Sequence, residues 1–156
     1  MKYLHEEGVK CKLEDSIVIF EFNECNFIAE FTIHEGYAEC EISYCCGDDE
    51  YEALDIQEKT FIADKINTEK ENHCVAIAYN DVLKLRSFFY FKNRRMMLGL
   101  FSLHFEELTE SIETAIEIVC DKIELHKAYK NRRIGFKTES NNPPSKETES
   151  VQSLRR

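Results

Sequence analysis

Phe27-Ile28-Ala29-Glu30-Phe31-Thr32-Ile33-His34-Glu35-Gly36-Tyr37-Ala38-Glu39-Cys40-Glu41-Ile42-Ser43-Tyr44 is the stretch whose reading decides the fold. Phe27, Ala29, Phe31 and Ile33 alternate with Glu30 and Thr32, and Ala38, Cys40, Ile42 and Tyr44 alternate with Glu39, Glu41 and Ser43. A period of two is that of a strand with one buried and one wet face. His34-Glu35-Gly36 turns the chain between them, so the pair predicts an antiparallel hairpin. Upstream, the β-branched and aromatic run Ile17-Val18-Ile19-Phe20-Glu21-Phe22 adds a third strand to a meander.

Downstream, Gly47-Asp48-Asp49-Glu50 breaks the alternation, and two Asp-x-x-Glu pairs could each cap a helix: Asp49 with Glu52 and Asp55 with Glu58. The second is preferred, because Ile56, Ala63 and Ile66, with Phe61 and Ile62 alongside, form a helical stripe running out near Glu69. Cys74 to Tyr79 and Leu83 to Phe91 then read as two strands joined at Asn80-Asp81, a second hairpin. Residues 93–104 fit either a buried loop or a strand extension. From about Phe105, Leu108, Ile112, Ala115, Ile116, Val119 and Ile123 recur at helical spacing. Acids at the start of this helix and bases from Lys127 to Arg133 complement its dipole, and Gly135 is expected to stop it. The order β-β-β-α-β-β-α predicts an α+β domain in which helices pack on an antiparallel sheet.

A chain of 156 residues, 43% hydrophobic and 32% charged, is long enough to form one core without staples. A single domain over residues 1–135 is expected, its structured part spanning roughly 9–134. Residues 136–156, with Pro143-Pro144 and almost no large apolar side chains, are expected to be a disordered polar tail. The acidic start Met1-Lys2-Tyr3-Leu4-His5-Glu6-Glu7 lacks a signal-peptide core, and no run approaches 18 apolar residues, so a cytoplasmic protein without membrane contact is expected. There, seven cysteines read as free thiols packed as small hydrophobes.

No phosphate-binding glycine loop, nucleophile elbow, His-Glu-x-x-His or Cys-x-x-Cys occurs, so no enzyme activity and no cofactor are expected. The alternative is a thiol- or zinc-dependent protein using Cys40, Cys45, Cys46 and Cys74, with His34 or His73 as imidazole ligand. Against it, Cys45 and Cys46 are neighbours on an extended chain and face opposite sides, whereas a tetrahedral site needs converging ligands.

Charge is distributed unevenly. Residues 1–83 carry six bases against twenty acids, a balance of −14, and residues 84–156 carry fourteen bases against ten acids, +4. The overall −10 opposes phosphate approach and argues against a nucleic-acid partner. Lys84 to Arg95 holds five bases, no acid and four consecutive aromatics. Lys84, Arg86, Tyr90, Arg94 and Arg95 are therefore the candidate contacts for a protein partner, a second copy of the chain being one such partner, since Arg beside aromatic area favours binding hot spots. A plainer alternative is a core strand whose wet positions are basic and pair with acidic neighbouring strands.

With its first helix ending in Ile66-Asn67-Thr68-Glu69 and its Leu83-Lys84-Leu85-Arg86 strand, the chain from about Ser16 to Tyr129 resembles the YbjN family and its type III secretion chaperone-like fold. The resemblance implies regulatory or chaperone-like protein binding in the bacterial cytosol, without catalysis and often as homodimers.

Overall fold

The expected antiparallel hairpin forms, with Phe27 opposite Tyr44, Ala29 opposite Ile42 and Phe31 opposite Cys40. The computed structural model describes residues 9–69 and 74–139, residues 132–139 as backbone only. Around this hairpin, β3 (Cys25–His34) and β4 (Tyr37–Cys46), stand β1 (Cys11–Glu14), β2 (Ile17–Phe22), β5 (Val75–Ala78) and β6 (Leu83–Phe91). All pair antiparallel in a six-stranded sheet of order β1-β2-β3-β4-β6-β5. Among the described residues the helices are α1 (Asp49–Glu52), α2 (Ile56–Thr68) and α3 (Arg94–Glu139). The molecule is thus α+β, as expected.

The element order departs from β-β-β-α-β-β-α in three places. Cys11-Lys12-Leu13-Glu14 forms an additional edge strand; its burial shows no two-residue alternation, which is why its sequence carries no strand signal. Both acidic starts are used. Asp48, not Asp49, caps the short α1 by accepting the Tyr51 amide at 2.8 Å, and Asp55 with Glu58 forms a full capping box on α2.

The third departure is the largest. Residues 94–104 are helix, so α3 begins eleven positions before Phe105. Asn93 caps it by accepting the Met96 amide at 3.0 Å, and Phe101 turns into the core. The first turn holds Arg94 and Arg95 and no acid, which removes the usual helix-start signal. At the other end the backbone continues through Gly135 to Glu139 instead of stopping at the glycine. Within the stripe, Ile118 is buried and Ile116 exposed, the reverse of the expected reading. From residue 140 onward the expected tail lies outside the described residues, as do residues 1–8 and His73.

One side of the sheet carries the core. Val18, Phe20, Phe27, Ala29, Cys40, Ile42, Leu83, Leu85 and Phe89 bury against Tyr51, Ile62 and Ile66 of α1 and α2 and Phe101, Leu108, Ile112 and Ala115 of α3. At its centre the Phe105 ring lies 5.4 Å from Phe20 and 5.0 Å from Phe27, and this aromatic contact seats α3 on the sheet.

The edges are treated differently. At β5 the Asn67 side chain imitates a neighbouring strand: its Nδ2 donates to the Ala76 carbonyl at 2.9 Å and its Oδ1 accepts the Ala76 amide at 2.7 Å. That contact caps an edge which would otherwise offer free backbone groups. Nearby, the buried Lys59 ammonium donates to the carbonyls of Glu52 and Asn80 and ties α1 to the β5–β6 turn.

Candidate functional site

Because β6 lies between β4 and β5, it is an interior strand and offers no edge to a partner. Its alternation instead sets two faces. Leu83, Leu85, Ser87 and Phe89 enter the core, and Lys84, Arg86, Phe88 and Tyr90 project from the opposite side. The strand register puts Glu39, Glu41, Ser43 and Cys45 of β4, Ile28 and Glu30 of β3, and Val75 and Ile77 of β5 on that same outer side. The core helices all lie across the sheet from it. Ile28, Val75, Phe88 and Tyr90 are exposed there, the last two by 44% and 50%.

Of the five candidate residues, Lys84, Arg86 and Tyr90 share this outer face, and Arg94 and Arg95 stand in the first turn of α3. The two strand bases are not free. Glu41 accepts from Lys84 Nζ at 2.6 Å and from Arg86 Nη1 at 3.1 Å, so the cross-strand pairing of the plainer alternative is present at the centre of the face. Burial alone would raise the Glu41 carboxyl, but the Lys84 hydrogen bond and the charges of Lys84 and Arg86 outweigh it and hold the group below the usual carboxylate range. Lys92, Arg94 and Arg95 form no ion pair among the described residues.

An aromatic ladder crosses the far end of the same face. His34 stacks on Tyr37 at 4.6 Å, Tyr37 meets Tyr90 edge-on at 5.8 Å, and Tyr90 meets Phe88 edge-on at 6.2 Å. Three strands contribute to it. Sequence reasoning placed His34 in a turn and gave Tyr37 no role, because their contact with Tyr90 depends on the β4–β6 pairing, which joins residues about fifty positions apart. Beside the ladder, Tyr37, Tyr90, Phe91, Lys92 and Met96 line an open, mainly apolar cleft of about 410 Å³.

The cysteines are arranged otherwise than a converging ligand set requires. Cys40 and Cys46 face the helices, separated along β4 by about 20 Å at strand rise, while Cys45 faces outward. Cys45 and Cys46 border, with Cys120 of α3 and not with Cys40 or Cys74, a second open cleft of about 480 Å³ that Tyr51 and Ile123 also line. Burial pushes the Cys40 thiol up to about 12, with Glu41 and Glu39 adding, and the Cys46 thiol up to about 11. Burial also raises Cys45, with Lys84 opposing. Thiols held this way are poor nucleophiles at neutral pH. Among the described residues no three His, Cys, Asp or Glu side chains are grouped to hold a metal ion, and no helix is long and apolar enough to cross a membrane.

No family model and no curated protein matches the sequence. Among solved structures, the chain is similar to the crystal structure of an uncharacterized protein from Methanothermobacter thermautotrophicus, at 10% identity and a TM-score of 0.55. The match covers 78% of this chain and 94% of that one. At this identity the similarity is one of fold alone.

Proposed function

We propose that this chain is a non-catalytic protein-interaction module, chaperone-like or regulatory, that receives a partner on the face of its sheet that no helix covers among the described residues. The observation that carries the reading is the ladder His34–Tyr37–Tyr90–Phe88, exposed on a face where Ile28 and Val75 are exposed as well and Ile77 is half-buried. Contiguous aromatic area of this kind is what partner-binding hot spots use. Burial that raises the Cys40 and Cys46 thiols weighs against nucleophilic use of those two side chains, and seven free cysteines suit a reducing cytoplasm. The resemblance to YbjN proteins and to type III secretion chaperones points to the same class of role, with a second copy of the chain as one partner that sedimentation would reveal.

Capture from the native cytosol on immobilised full-length protein tests the reading. The wild type is expected to retain a partner that a Phe88→Ser, Tyr90→Ser variant retains about tenfold less, since two truncated hot-spot residues cost at least about 1.4 kcal/mol. Equal retention by the variant, with an unchanged far-ultraviolet spectrum, would reject it.

A further inference from the structure

The structure assigns the corner where β6 runs into α3 as a receptor for an acidic peptide segment of a partner, one carrying carboxylates beside a bulky apolar side chain. The inference deepens the docking reading and rests on it. Two features coincide there. The first is the cleft of about 410 Å³ between the ladder and the first turn of α3; its walls Tyr37, Tyr90 and Met96 are each more than 40% exposed. Such a cleft accepts an aliphatic or aromatic side chain and desolvates ring faces as it does so.

The second feature is charge. Lys92 lines the cleft and Arg94 and Arg95 follow it, three cations within four positions on a chain of net −10. At the middle of the sheet Lys84 and Arg86 already share the Glu41 carboxylate, whereas the corner cations form no ion pair among the described residues. Their position is locally unfavourable, because the first turn of α3 contains no acid and the helix dipole opposes cations there. An acidic partner would relieve that cost with charge-assisted hydrogen bonds, Arg offering a bidentate fork to each carboxylate. A nucleic acid strand would run on from the corner over Glu30 and Glu39 of the adjoining face, whereas a short peptide segment fits within the corner, so peptide is the favoured occupant.

Titration of the isotope-labelled full chain with a synthetic hexapeptide, acetyl-Asp-Glu-Leu-Phe-Asp-Glu-amide, tests this by NMR. The expected result is saturable shifts at Tyr37, Tyr90, Phe91, Lys92 and Met96. Binding should weaken about tenfold when the acids are replaced by Asn and Gln, when Leu-Phe is replaced by Ser-Ser, or in the Lys92→Glu, Arg94→Glu, Arg95→Glu variant. The absence of shifts at millimolar peptide, shifts indifferent to those exchanges, or corner shifts with single-stranded DNA in place of peptide would overturn the assignment. Shifts confined to Ile28, Arg86 and Phe88 would overturn the corner while leaving the wider docking face intact. Loss of partner capture on Phe88→Ser, Tyr90→Ser is a separate readout, so the two readings fail separately.

Discussion

Asn23 and Glu24 form the two-residue turn between β2 and β3, with φ of 48° and 65°. Such a turn follows the right-handed strand twist but asks a Cβ-bearing glutamate to take the left-handed region, which favours glycine. Glu24→Gly is expected to raise stability by about 0.5–1 kcal/mol, visible as a higher melting temperature; a drop would refute the turn geometry. Glu41 makes a pH prediction. Its carboxyl is lowered on folding from an ordinary 4.5, because the Lys84 and Arg86 contacts overcome the upward push of burial. The unfolded carboxylate binds protons first, so the stabilisation is complete above that ordinary value and disappears as pH falls through the folded-state value. The melting-temperature gap between wild type and Glu41→Gln should therefore shrink on acidification below about 4.5; a gap constant with pH would show that Glu41 is not ion-paired.

At the scale of elements, the edge strand β5 depends on one amide side chain. Replacing Asn67 by Ala removes both hydrogen bonds to Ala76 and leaves a backbone pair unsatisfied, an expected loss of about 1–3 kcal/mol with faster hydrogen exchange at the Ala76 amide. Unchanged exchange would mean that the strand is held by other contacts. Gly47 is equally constrained by packing: a Cβ there would lie 2.3 Å from the Asp81 carbonyl oxygen, so Gly47→Ala should destabilise by about 1–3 kcal/mol in denaturant unfolding. The elements most legible in the sequence were those with strict period-two alternation, β3, β4 and β6, and the capping box of α2. β1 was illegible because its side chains are nearly all exposed. The start of α3 was hidden by Met96-Met97-Leu98-Gly99-Leu100-Phe101, whose continuous apolar character conceals a helical period, and by arginines where acids would signal a first turn. Lys84, Arg86 and Tyr90 were legible as one outward row. The ion pairing of the first two, and the joining of Tyr90 to Tyr37 and His34, were not, since each depends on pairing across strands distant in sequence.

At the scale of the whole molecule, the helices among the described residues cover one side of the sheet, and Lys92, which lines the cleft beside the aromatic ladder, and Arg94 and Arg95 just after it form no ion pair among those residues. Exposed Phe88 and Tyr90 stand between charged rows on this face, and the proposed contact with a partner would desolvate them. The most direct measurement is cross-linking in the producing cells with a photoreactive phenylalanine analogue placed at Phe88, compared with the same group at Phe61, which is exposed on the helical side. The account predicts discrete protein adducts from position 88, reduced when Lys92, Arg94 and Arg95 are reversed to Glu, and none from position 61. Absence of a protein adduct at position 88, or the same adducts from both positions, would contradict it.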